Sequence, residues 1–188
     1  MTVKSTQSLG PFSRYGIWVQ GCQKRCAGCI SSDSQALDGG YEVNVLELVN
    51  DILSTPNIEG ITISGGEPFL QSMALFELVT LIRAKRDLGV ITYTGMTYDE
   101  IKENELAQAC DMIIDGEYRE ELNDGLSLRG SSNQNICLIT QRYATAIGMY
   151  GARGRKVELH FKGDKVTLVG IPDKNSLKML KDENLQKF

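Results

Sequence analysis

Between residues 16 and 114 short apolar runs alternate with amphipathic stretches, and this alternation limits the chain to few folds. Gly16–Gln20, Gly60–Ser64, Val90–Tyr93 and Asp111–Ile114 read as strands, too short and too β-branched for helices. Between them, the spacing predicts helices over 44–54, 72–87 and 97–109. Asn44 and Thr97 stand where N-caps belong, each with Glu three residues later, and Gly89 suits the left-handed position that ends the second helix. Val45, Leu48, Val49 and Ile52 share one face of the first helix, and Leu75, Phe76, Val79 and Ile82 one face of the second. Strand–helix units of this length imply an α/β fold with a parallel sheet wound in one hand. Four or five units are too few for a closed eight-unit barrel, which takes about 250 residues. A partial, open parallel β/α barrel is the expected architecture.

The C-terminal part departs from this rhythm. Val157, Leu159 and Phe161 alternate with Lys156, Glu158 and His160, and Val166 and Leu168 alternate again after Gly163-Asp164. That pattern predicts an antiparallel β-hairpin with a two-residue turn. Its apolar row of Val157, Leu159, Phe161, Val166 and Leu168 needs a surface to cover. We expect it to pack on this chain and bound a substrate entrance. The expected division is a core over 1–140 and a hairpin extension over 141–188 on the same domain.

Composition narrows the function classes. The 188 residues carry a net charge of −4 without a basic stripe, so nothing points to nucleic acid. No run approaches the roughly 20 apolar residues of a membrane span. The N-terminal stretch lacks the apolar core of a secretory signal, and the expectation is a cytoplasmic protein.

Of five cysteines, Cys22, Cys26 and Cys29 fall within eight residues, directly after the first predicted strand. Cys110 and Cys137 stand alone in apolar surroundings and read as buried small hydrophobes. An odd count suits a metal or catalytic site in a reducing compartment better than a disulfide framework. Thiolates are soft donors for zinc or iron–sulfur clusters. Structural zinc takes four ligands and electron-transfer clusters are normally held by four cysteines, whereas three leave one metal position open. His160, on an alternating strand, is expected to be solvated and not a fourth ligand. Loops after strand C-termini are where active sites of barrel-like α/β folds lie. A second group of interest, Ser64-Gly65-Gly66-Glu67-Pro68, ends the next strand. Two glycines permit a sharp turn and close approach to a ligand, and the carboxylate can accept from an ammonium.

With this C-x3-C-x2-C spacing the sequence resembles the radical S-adenosylmethionine (SAM) superfamily. The resemblance implies that Cys22, Cys26 and Cys29 ligate three irons of a [4Fe–4S] cluster, with SAM chelating the fourth iron. Reductive cleavage of SAM would then give a 5′-deoxyadenosyl radical that abstracts a substrate hydrogen atom. Gly65, Gly66 and Glu67 correspond to the superfamily's GGE motif, which binds the methionyl amino group of SAM. Tyr93-Thr94-Gly95-Met96, Ile114-Asp115-Gly116-Glu117-Tyr118 and Arg129-Gly130-Ser131-Ser132-Asn133-Gln134 are similar to strings of the anaerobic ribonucleotide reductase activating proteins. Those enzymes install a glycyl radical on a partner protein. Thr94, Asp115 and Arg129, within these strings, are the further expected cofactor-binding residues. Lys24 and Arg25 could meet an acidic electron donor such as flavodoxin.

The resemblance spans about residues 10–136. Residues 137–188, with Arg153-Gly154-Arg155 and the hairpin, run past it, and Ile30 follows the third cysteine where that family often has an aromatic. Two other functions therefore stay open at this point. One is a radical SAM enzyme that modifies a ribosomal peptide or small molecule; the other is a non-catalytic iron–sulfur or zinc-binding module.

Overall fold

A computed structural model describes residues 1–126, 128–148, 150, 154–162 and 165–173. Six strands, β1 (Thr2–Thr6), β2 (Arg14–Val19), β3 (Gly60–Gly65), β4 (Gly89–Tyr93), β5 (Met112–Asp115) and β6 (Asn135–Leu138), lie side by side in chain order. β2 to β5 are mutually parallel, while β1 and β6 run antiparallel to their neighbours. This is a mixed α/β fold with a parallel-rich sheet. Chain-order neighbours joined by crossovers of one hand place their helices on one face of the sheet.

The helices follow the expected signals, with differences. α1 (Val45–Ser54) begins at Asn44, whose side chain accepts from the amides of Leu46 and Glu47. α2 (Ser72–Arg83) ends four residues before the expected position 87. Gly89 does not cap it: the residue opens β4, and a Cβ there would collide with the Tyr143 hydroxyl and the Arg142 side chain. The single helix expected over 97–109 is two, α3 (Tyr98–Ile101) and α4 (Glu105–Gln108). Asn104 divides them because its side chain accepts from the Leu106 amide at 3.0 Å and caps a new helix. Tyr15, Ile17, Ile61, Ile63, Val90 and Ile113 of the sheet pack with Val49, Ile52, Leu75, Leu78, Val79 and Ile82 of the helices.

Two strands go beyond the parallel units that the sequence predicts. β1 is mostly exposed and polar, so it has no apolar alternation to announce it. The apolar run Ile136-Cys137-Leu138-Ile139 reads as a strand, but nothing local announces that β6 runs antiparallel to β5. Between β5 and β6 the described residues form a short 3-10 turn at Glu120–Leu122 and no α-helix that would return the chain to the sheet's starting end. It therefore comes back antiparallel.

The other face of the sheet is filled by Leu128 and by residues beyond 140. Ile91, Met112 and Ile114 pack with Leu128 and Tyr143, and Ile147 of α5 (Ala144–Ile147) and Tyr150 lie against them. Arg14 is fully buried on this side. Its guanidinium donates to Thr62 Oγ1, to Glu59 Oε2 and the Tyr143 hydroxyl, and to the carbonyls of Pro11, Ile61 and Gly89. A buried charge satisfied at every nitrogen is tolerable where an unpaired one is not.

The expected hairpin forms as β7 (Val157–Lys162) and β8 (Lys165–Gly170). Its turn at Gly163 and Asp164, Arg153, and residues 174–188 lie outside the described residues. The expected burial of the whole apolar row needs correction. Leu168 is buried, but Val157, Leu159 and Phe161 are exposed. The ribbon attaches by one face, where Val169 of β8 packs on Leu9 and Trp18 and its cross-strand partner Glu158 of β7 meets the Gln7 amide. His160 is not simply solvated: its Nε2 lies 3.0 Å from Glu158 Oε2, and Glu158 Oε1 accepts from the Gln7 amide.

Candidate cluster and cofactor site

The C-terminal ends of the parallel strands surround one open cleft. The loop after β2 contributes Cys22, Lys24, Cys26 and Cys29 to its lining, and the end of β3 contributes Ser64 to Glu67. Thr94 and Gly95 follow from β4, Gly116 and Tyr118 from β5, and Gly130 and Gln134 from the loop before β6. Five separate segments thus deliver their polar residues to one place.

The glycine pair lets two loops lie against each other. Gly65 has φ +103, and a Cβ would meet the Val19 backbone at 2.5 Å. At Gly66 it would strike the Gly21 carbonyl, with the Ser34 carbonyl 2.8 Å away. The close approach is held by backbone bonds from Gly66 N to Val19 O, Glu67 N to Gly21 O, Gly21 N to Ser34 O and Cys22 N to Gln35 O. The cysteine loop is therefore tied to the end of β3 immediately before its first thiol. Inside the loop Arg25 and Gly28 take left-handed conformations, and Gly28 lies against the Glu120 carboxylate.

Glu67 is buried, and its carboxylate collects three donors. Oε1 accepts from Phe69 N at 3.1 Å and Thr94 Oγ1 at 2.7 Å, and Oε2 accepts from Gly95 N at 2.9 Å. A carboxylate offers about four acceptor positions, which leaves capacity for one more cation or donor in the cleft. Thr94 lines the cleft and also orients Glu67, its hydroxyl accepting in turn from Met96 N at 3.0 Å. The stem of Lys24 lies across Gly95 from Glu67.

Two of the expected cofactor residues are placed elsewhere. Asp115 is not in the cleft lining. Its Oδ2 accepts from Tyr98 N at 2.6 Å and its Oδ1 from Asn135, joining α3 and β6 to β5. Arg129 also points away, paired to Asp124 at 3.0 Å. The string containing Arg129 instead builds a wall. Gln134 accepts from the amides of Gly130 and Ser131 and donates to Gly116 O, while Asn133 donates to Glu117 O. Arg155, from the extension, braces this loop through Asn123 Oδ1 and Gly130 O.

The hairpin supplies lining residues that sequence reasoning did not assign. Leu168, Gly170 and Ile171 face the cleft together with Leu9 and Trp18. Gly170, at φ +111, is the one local signal: a Cβ would meet the Lys156 carbonyl at 2.6 Å.

Burial pushes the Cys26 and Cys29 thiols above their ordinary range, and for Cys26 the nearby Glu117 adds to it. Cys26 Sγ lies 3.8 Å from Glu117 Oε1. Among the described residues no three acidic, histidine or cysteine side chains converge on one point as ligands of a single ion would. A cubane takes each thiolate on a different iron, so three cysteines spaced along one loop and open to a shared cleft suit it as a donor set.

A family model described as a 4Fe-4S single cluster domain matches residues 8–137. Sheet, cleft and thiol loop thus define the class as an α/β iron–sulfur protein with one cluster. The anaerobic ribonucleoside-triphosphate reductase-activating proteins of Enterobacteria phage T4 and Escherichia coli K12 are each 30% identical to the chain. Both matches take in 68% of the chain, with 85% and 89% of the relatives' own lengths. The pyruvate formate-lyase-activating enzyme of Staphylococcus epidermidis is 41% identical over 40% of the chain and 32% of its own length. The chain belongs to the radical SAM glycyl-radical activase family. It is an enzyme whose cofactors are a [4Fe–4S] cluster and SAM. No described helix is long and apolar enough to cross a membrane.

Proposed function

We propose that this chain activates a glycyl-radical enzyme of the anaerobic ribonucleoside-triphosphate reductase type. The observation that carries the reading is the shared cleft, where the three cysteines and the oriented carboxylate of Glu67 meet. Cys22, Cys26 and Cys29 would hold the cluster, and Glu67 would receive the SAM ammonium at its remaining acceptor position. When bound, the cluster and SAM supply reductive C–S cleavage and a 5′-deoxyadenosyl radical for hydrogen-atom abstraction. The protein's part is placement and shielding. Thr94 and Gly95 hold Glu67 in orientation, Gly65 and Gly66 let it reach the cysteine loop, and Trp18, Leu168 and Ile171 provide apolar walls that exclude water.

The chain-order parallel strands support reading the sheet as the open barrel of radical SAM enzymes. Residues 1–140 would form its core, with 141–188 an extension on the same domain, as the packing of Tyr143 and Val169 suggests. Lys24 and Arg25 lie in the loop where an acidic donor such as flavodoxin would approach. The working location is cytoplasmic, with neither nucleic acid nor membrane as partner.

The test is anaerobic reconstitution followed by turnover. About four irons per chain are expected, with a reduced-state EPR signal that changes on adding SAM. With SAM and dithionite the protein should release 5′-deoxyadenosine, and with the reductase a glycyl radical should appear. A one-zinc protein without a SAM-sensitive signal would end this reading. 5′-Deoxyadenosine formed without any radical on the reductase would move the substrate to a peptide or small molecule.

A further inference from the structure

The two rows of the hairpin have different fates. On one face Glu158 accepts from the Gln7 amide and Val169 packs on Leu9 and Trp18, so this face is fixed to the chain. On the other face the register pairs Val157 with Gly170, Leu159 with Leu168 and Phe161 with Val166. Opposed residues of an antiparallel pair share a face. Leu168 and Gly170 line the cysteine cleft, so the row that begins in the cleft continues outward as Leu168, Leu159, Val157 and Phe161. There it is open: Val157, Leu159 and Phe161 are 39%, 47% and 73% exposed. Among the described residues β7 pairs with β8 alone, and its outer edge has no backbone partner among them.

A strand edge that no other described strand covers, carrying an apolar alternate row, suits addition of another extended chain. Its continuity with the cleft lining says which chain. We infer that β7 docks an extended segment of the polypeptide substrate, apolar at alternate positions, and so delivers the neighbouring residue to the cleft. This rests on the activase reading above and adds where and how the substrate protein is held. The matched family region ends at residue 137, so the docking edge is built by the part of the chain beyond it. Main-chain pairing to β7 supplies register, and contacts of Leu159 and Phe161 supply selectivity for apolar side chains.

The experiment uses the reconstituted full-length holoenzyme, as wild type, Leu159→Asp and Phe161→Asp. The probe is the purified anaerobic ribonucleoside-triphosphate reductase of the same genome. Neither substituted residue lines the cleft, so 5′-deoxyadenosine formation without reductase should stay within about twofold of wild type. Reductase affinity should fall tenfold or more in both variants, the range expected for central contacts of an interface. Hydrogen exchange of alternate β7 amides in the wild type should slow at least tenfold when reductase is added. Variants that bind and activate the reductase as wild type does overturn the docking site and leave the activase reading intact. A wild type that cleaves SAM but neither binds nor activates the reductase removes both. β7 amides already protected in the free enzyme also overturn it. Concentration-dependent protection would then identify a second copy as the occupant, and protection lost on deleting residues 174–188 the C-terminal segment.

Discussion

Arg14 and Tyr143 meet both through a hydrogen bond, Arg14 Nη1 donating to the hydroxyl at 2.7 Å, and through the ring, whose centroid lies 5.1 Å from the guanidinium. The hydroxyl in turn donates to Glu59 Oε2 at 2.7 Å. A residue beyond position 140 therefore completes the solvation of a charge buried in the first parallel strand.

Two substitutions separate the parts of that contact. Tyr143→Phe keeps the ring but removes the hydroxyl, and Arg14 Nη1 retains Glu59 and the Pro11 carbonyl, so a loss of about 1–2 kcal/mol is expected. Tyr143→Ala also empties the ring site, for about 3–5 kcal/mol. A chain truncated after Gln141 should lose at least as much, with its thermal midpoint down by on the order of 10 °C. Thermal and denaturant unfolding of the four proteins checks this; a truncated chain as stable as wild type would show the extension to be dispensable for folding.

Glu67→Gln keeps the size of the side chain and removes its charge. Loss of a charge-assisted bond to a buried ammonium costs about 1.5–3 kcal/mol, or roughly 10–150-fold in SAM affinity. Iron content should hold while SAM binding, measured by titration of the reconstituted protein, weakens. Equal SAM affinity in wild type and variant would reduce Glu67 to an internal brace for Thr94 and Gly95.

Gly66→Ala tests the contact between the two loops. The new methyl has the Gly21 and Ser34 carbonyls in its way, both backbone atoms that cannot swing aside. The cysteine loop must shift, so iron incorporated per chain should drop well below that of wild type under identical reconstitution. Overpacking of this kind also costs about 1–3 kcal/mol. Full iron content with unchanged stability would mean that the loops can separate freely.

Cys110 should behave as an inert thiol. It is fully buried between Thr92 Oγ1 and Leu106 O, each 3.2 Å away, and burial pushes its thiol up to about 12. At pH 8 it remains protonated and shielded, and only thiolates alkylate readily. Iodoacetamide on the native, cluster-free protein should label Cys22, Cys26 and Cys29 and reach Cys110 only after unfolding, as read by peptide mass spectrometry. Cys110→Ala should leave iron content unchanged.

What the sequence determined by itself lies in short-range relations. The spacing of Cys22, Cys26 and Cys29, the Gly65-Gly66-Glu67 turn, the Asn44 and Thr97 caps and the strands from Arg14 to Asp115 were legible because neighbours along the chain set them. Local signals also erred locally: Asn104 splits a helix whose apolar spacing runs straight through it, and Gly89 serves the approach of Tyr143 instead of a helix end. Tertiary structure alone decided which side of each motif faces the cleft. Thr94 turns inward onto Glu67, whereas Asp115 is spent on Tyr98 and Asn135 and Arg129 on Asp124. It also decided that Tyr143 reaches Arg14 across 129 positions and that the hairpin attaches by the face of Glu158 and Val169, leaving Val157, Leu159 and Phe161 exposed. Periodicity specifies that a face is apolar; what covers that face depends on contacts between segments far apart in sequence, and those exist only once the sheet has assembled.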